Sequence, residues 1–134
     1  MTDLSLTPAA QPATTAAGRT VLMRTLIALQ LYVVAAYVSA AVIPYLWRDN
    51  AAPPTWVWIV PGWLLGVPGF WITLLGAVLA VPLALLGAGA TALRYRTLSA
   101  RLRWWSVSAA VLTTAYAVFT LTPPAATIAA WVAD

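Results

Sequence analysis

The sequence predicts an all-α integral membrane protein with three transmembrane helices. Of its 134 residues, 63% are hydrophobic and only 7% are charged, whereas an average soluble chain carries roughly 25% charged residues. Three long segments contain no charged side chain at all. Because so few charges cannot cover the water-facing surface of a chain of this size, we assign these segments to the bilayer.

The predicted spans are residues 25–46, 70–93 and 104–121. The first two are long enough to cross a hydrocarbon core of about 30 Å, and the third is near the lower limit. The small and polar residues 1–20 predict a disordered cytoplasmic tail, which leaves residues 21–134 as a single membrane domain. The alternative for the first span is a signal peptide that is cleaved after Ala40.

A segment rich in Trp, Pro and Gly precedes the second span. Residues 55–71 contain the sequence Val-Pro-Gly twice. Pro-Gly pairs favour turns, and Trp favours the headgroup level of a bilayer, so we expect an interfacial or shallow re-entrant segment, with a pore loop as the alternative. The aromatic residues predicted at the membrane interfaces are Trp56, Trp58, Trp63, Trp71, Trp104 and Trp105.

The arginines predict the orientation in the plasma membrane. Arg19 and Arg24 precede the first span, and four arginines lie between the second and the third. With three spans, these flanks share one side, and Arg48 is the single arginine on the other. The excess of positive charge on the cytoplasmic side places the N-terminus inside and the C-terminus outside. The arginines expected at lipid headgroups are Arg94, Arg96, Arg101 and Arg103.

The composition argues against catalysis and cofactor binding by this chain. It contains no His and no Cys, so it has no thiolate, no imidazole base and no usual ligand set for zinc, haem or an iron–sulfur cluster. The three aspartates are far apart in the sequence. The net charge of +4 comes from arginines that flank apolar spans, so we expect no nucleic-acid partner. Abundant Ala without Lys or Glu resembles the composition of actinobacterial proteins.

A stripe of small residues runs along one face of the second predicted span. Its members are Gly76, Ala80, Ala84, Ala88 and Ala92. Residues four apart share a helix face, and small side chains allow a second helix to approach closely, so the stripe predicts a helix-packing surface. Chance is the alternative explanation, because Ala is common throughout the chain. Pro82, in the middle of this span, is expected to bend the helix.

These observations favour a small, non-catalytic subunit that acts by packing against other helices, in an accessory, assembly or immunity-type role. Its expected partners are the lipid bilayer and either another membrane protein or further copies of itself. The alternative is an oligomeric channel, a holin-like protein or a small transporter unit, for which the hydroxyl groups of the third span could line a polar path. A third possibility is a subunit that helps to hold a cofactor supplied by other chains. Because no span contains a carboxylate or a base, we expect no proton conduction.

Overall fold

A computed structural model describes residues 13–49 and 62–134. These residues form helices and short turns, and no strand occurs among them, so the predicted all-α class is confirmed for this part of the chain. The helices are α1 (Ala13–Tyr37), α2 (Ile43–Trp47), α3 (Val67–Arg94), α4 (Ala100–Thr120) and α5 (Pro123–Ala133), with π-helical turns at Val38–Val42 and Gly62–Gly66.

Helix α1 begins at Ala13, so its first turns lie within the segment expected to be a disordered tail. At its other end, α1 continues through Val38–Val42 into α2, and the Ile43 N–H donates to the carbonyl of Val38. This is the wider hydrogen-bond pattern of a π-helix. Pro44 has no N–H and its ring would crowd the carbonyl four residues earlier, and the widened turn accommodates it. The helix therefore passes Pro44 instead of ending there.

Helix α3 is interrupted at Gly76, which has φ 46° and ψ −125°. This backbone conformation is open to glycine because glycine has no Cβ. Pro82 keeps helical dihedral angles inside the same helix. The bend predicted at Pro82 stays a prediction, since the ring of proline fixes a φ that is compatible with a helix, and the non-helical residue inside α3 is Gly76.

Helix α1, the part of α3 that follows Gly76, and α4 form a bundle in which the chain direction alternates. At one end, Arg94 donates to the carbonyl of Arg19, and the Thr91 hydroxyl donates to the carbonyl of Ser106. We call this the arginine end. At the opposite end, the rings of Tyr37 and Tyr116 pack with their centroids 4.8 Å apart. These contacts bring sequence-distant segments into register along the whole bundle.

The core of the bundle is built from small and aromatic residues. Ala36, Ala80 and Ala117 are buried together with Tyr37 and Tyr116. Because alanine side chains occupy little space, the helix backbones can approach closely, and the tyrosine rings fill the space that remains.

Helix α5 folds across the end of the bundle opposite the arginine end. It follows Thr122, which has extended backbone angles before Pro123-Pro124, as expected for a residue that precedes proline. The resulting bend between α4 and α5 is 79°. Ile128 is buried in the core. Trp131 packs edge-on against Tyr45, with the ring centroids 5.8 Å apart. The helix that contains the third predicted span, α4, therefore ends at Thr120, before Pro123-Pro124.

Two helical segments are long and apolar enough to cross a membrane, namely Thr15–Trp47 and Leu64–Arg94. A third crossing is present only if α4 and α5 are taken together as one bent span. Hydroxyl groups and amphipathic aromatic residues make α4 less apolar than the other two segments. The structure therefore supports two to three membrane-spanning segments.

Candidate functional site

The small residues of the predicted stripe occupy two different environments. Ala80 is fully buried and Ala84 is 7% exposed, and both face the core of the bundle. Ala88 and Ala92 are exposed, and Gly76 is half-buried at the interruption of α3. The stripe therefore divides near the middle of α3, with its first part inside the bundle and its second part on the outer surface.

The outer part of the stripe forms one wall of an open groove between α3 and α4, with a volume of about 800 Å³. On the α4 side, the groove extends from Val107 to Thr122, which corresponds to roughly 20 Å along a helix axis. Its small lining residues are Ala88, Ala92, Ala110, Thr114 and Ala115. We call this surface the α3–α4 groove.

The threonine hydroxyl groups of α4, and that of Thr122 just after it, donate to backbone carbonyls three or four residues earlier. Thr113 donates to the carbonyl of Ala109 at 2.6 Å, and Thr114 donates to the carbonyl of Ala110 at 2.7 Å. Thr120 and Thr122 donate in the same way to residues three positions earlier. Such bonds remove the need for a polar partner, so the α3–α4 groove presents an essentially apolar surface in spite of its threonines.

Two buried polar groups have no hydrogen-bond partner among the described residues, namely the Gln30 amide nitrogen and the Tyr116 hydroxyl. Gln30 is 1% exposed and lies directly against Gly87, where a Cβ would overlap its amide. The absence of a side chain at Gly87 therefore creates the space that the Gln30 side chain occupies.

A second close contact joins α3 to the end of α1. A Cβ added at Gly69 would overlap the backbone carbonyl of Ala36 and the side chain of Ala40. Nearby, the Tyr32 hydroxyl donates to the carbonyl of Leu64 at 2.6 Å. Neither Gly69 nor Gly87 belongs to the predicted stripe, because neither falls on its four-residue spacing from Gly76. The four-residue spacing of Ala36, at the end of α1, and Ala40, in the π-helical turn that follows, is the signal that could have indicated a close partner.

The predicted headgroup arginines lie together at the arginine end. Arg94 is held by the carbonyl of Arg19, and the guanidinium of Arg103 lies 5.0 Å from the ring centroid of Tyr95. Arg96 is exposed in the turn before α4. Arg101 lies in the first turn of α4 and borders a cavity together with Arg24 of α1. Arg24 was not among the predicted headgroup residues.

The predicted interfacial tryptophans are distributed over both ends of the bundle. Trp104 and Trp105 are exposed at the arginine end, close to the start of α4. Trp71 is exposed near the start of α3. Trp56 and Trp58 lie outside the described residues, and Trp63 falls within the π-helical turn Gly62–Gly66.

Comparison with known proteins gives no relative: no family model matches the chain, and no curated protein or solved structure is significantly similar to it.

Proposed function

We propose that the protein is a non-catalytic membrane subunit that packs against a transmembrane helix of a partner protein through the α3–α4 groove. The observation that carries this proposal is the groove itself, which is long, apolar and lined by small residues on both walls. Helices in a bilayer associate through close packing, and small residues at the contact allow that packing. The length of the groove suits a helix that crosses much of the hydrocarbon layer.

Two further features support a packing role over the channel alternative. The threonine hydroxyls of α4 bond to carbonyls of their own helix, so they do not offer a row of free polar groups for water or ions. The acidic residues of the described part of the chain, Asp49 and Asp134, lie at chain positions outside the helical bundle segments. The proposed role is non-catalytic, since the chain has neither His nor Cys.

The orientation and the number of spans form part of the same proposal. We infer that the arginine end faces the cytoplasm of a plasma membrane, because six of the seven arginines belong to it and Arg48 is paired with Asp49 at 3.7 Å near the opposite end. We further infer that α4 and α5 together form the third crossing, with α5 in the outer leaflet, and that the described chain from Gly62 to Gly76 re-enters the bilayer.

A cross-linking experiment in native membranes tests the groove. A photoreactive amino acid replaces Ala115 in the groove or, as the matched control, the exposed Ala35 on α1. We expect a protein adduct of one discrete mass from position 115, and none of that mass from position 35. The substitution Ala88→Leu should fill the opposite wall and abolish the adduct. An adduct of twice the chain mass would identify the occupant as a second copy.

Lipid adducts alone from position 115 would contradict the proposal. So would an adduct that forms equally from position 35, or one that survives Ala88→Leu, because each would show that the groove does not select its neighbour. A potential-driven dye flux through vesicles that contain the purified protein, well above that of empty vesicles, would favour the channel instead.

A further inference from the structure

A cavity between α1 and α4 at the arginine end combines positive charge with an apolar interior. It has a volume of about 430 Å³, and its rim carries Arg24 and Arg101. The apolar part of its lining includes Ile27, Leu31 and Leu102. None of its lining residues belongs to the α3–α4 groove, so a ligand in this cavity is independent of a partner helix in the groove.

The lining residues of α1 run inward from the charged rim. Arg24, Ile27 and Leu31 are spaced by three and four residues, so they share one face of the helix. They cover about 10 Å along the axis. The cavity is therefore polar near the arginine end and apolar toward the middle of α1, which is the order of groups in a glycerophospholipid.

The two guanidinium groups at the rim are not neutralised by the protein. Among residues 13–49 and 62–134, the one ion pair joins Arg48 to Asp49, which belong to the opposite end of the bundle. Arg94 and Arg103 have neighbours of their own, a carbonyl and a tyrosine ring. Arg24 and Arg101 have no such neighbour in the described part of the chain, so their charges remain available to an anion.

Two other features of α4 suit a phosphate at this rim. Ser99 caps the helix by accepting a hydrogen bond from the Leu102 N–H at 3.4 Å, and the N-terminal end of a helix carries partial positive charge. Trp105 borders the cavity one turn further along. Indole rings favour the headgroup level of a bilayer, so Trp105 suits a position beside the headgroup of a bound lipid.

We propose that this cavity is a binding site for one anionic glycerophospholipid, whose phosphate lies between Arg24 and Arg101 and whose acyl chain follows Ile27 and Leu31. The charge of the rim selects an anionic headgroup, and the apolar lining requires an attached chain. The two helices that the lipid would join meet directly at Met23, Ile27 and Ala109, so the bound lipid would brace that pairing.

Native mass spectrometry of the protein in detergent tests the site with phosphatidylglycerol and phosphatidylcholine of identical acyl chains. We expect one phosphatidylglycerol to be retained at lower lipid concentration than phosphatidylcholine. The substitutions Arg24→Gln and Arg101→Gln should each weaken phosphatidylglycerol binding by roughly fivefold, which corresponds to the attraction of one basic residue to an anionic membrane surface. The matched control is Arg96→Gln, since Arg96 is exposed and outside the cavity.

A second pair of variants tests the apolar part of the site without changing its charge. Ala28, exposed on α1, also borders the cavity, whereas the exposed Ala35 does not. Ala28→Phe should block lipid retention, and Ala35→Phe should leave it unchanged. Because both positions are exposed, both variants should keep the melting temperature of the parent protein.

Three results would overturn the proposal. An equal loss of phosphatidylglycerol in Arg96→Gln would show that binding depends on diffuse surface charge. Retention of phosphatidylcholine equal to that of phosphatidylglycerol would show that the two arginines do not select the lipid. Saturation of the site by glycerol phosphate, at the concentration at which phosphatidylglycerol binds, would show a site for a free anion.

Discussion

At two positions of α3, atoms of α1 lie so close that only glycine leaves room for them. Gly69 meets the backbone of α1 at Ala36, and Gly87 meets the amide of Gln30. A backbone cannot move aside as the end of a side chain can, so the contact at Gly69 is the less tolerant of the two. At Gly89, by contrast, no atom lies within 4 Å of the position of a Cβ.

We expect Gly69→Ala to lower the free energy of unfolding by about 1–3 kcal/mol, the usual cost of forcing an extra group into a packed contact. The matched control is Gly89→Ala in the same helix, which should raise stability by up to about 1 kcal/mol because alanine favours a helix. Thermal unfolding in mild detergent measures both. Equal melting temperatures for the two variants would contradict the close approach of α3 to α1.

At the scale of the helix, the period of the α-helix explains why the small-residue stripe divides. Each step of four residues turns about 40° beyond a full circle, so Ala92 is displaced from Ala80 by about 120°. The buried face of α3 instead advances by four, three and four residues through Ala80, Ala84, Gly87 and Thr91, with Leu83 buried beside Ala84. A stripe with strict spacing therefore leaves the core as it proceeds.

This division gives a test on adjacent turns of one helix. Ala84→Leu places a large side chain in the core and should destabilise the protein by about 1–3 kcal/mol. Ala88→Leu faces outward, where leucine is compatible with acyl chains, so it should leave the melting temperature of the purified protein unchanged. If Ala88→Leu is the more destabilising of the two, the buried face of α3 is assigned incorrectly.

The sequence predicted the positions of the helices better than their mutual contacts. Apolar segments without charge are visible in composition, and Pro123-Pro124 marks the end of α4 directly. The interruption at Gly76 was not foreseen, since the sequence shows a glycine but not the backbone conformation that it adopts. Arg24 was likewise assigned only to topology, because its proximity to Arg101 depends on how α1 pairs with α4.

At the scale of the whole molecule, contacts indicate that the chain changes direction relative to α1 within α3. Leu64 meets Tyr32, and Gly69 meets Ala36 and Ala40, so these contacts advance in the same order along both segments. Further along, Gly87 meets Gln30 and Arg94 meets Arg19, in the reverse order. Gly76 is the non-helical residue between the two sets, and it is the position at which a re-entrant segment would join the span.

The number of crossings can be measured with single cysteines, because the native chain contains none. Thr97→Cys lies in the exposed turn of the arginine end, Asp49→Cys follows α2, and Asp134→Cys follows α5. With three crossings and a cytoplasmic arginine end, a membrane-impermeant maleimide should label positions 49 and 134 in intact cells, and position 97 only after permeabilisation. Labelling of position 49 but protection of position 134 would mean that α4 and α5 return to the side from which they entered, leaving two crossings. Labelling of position 97 alone in intact cells would show that the orientation is reversed. The arginines would then not direct the insertion of this chain.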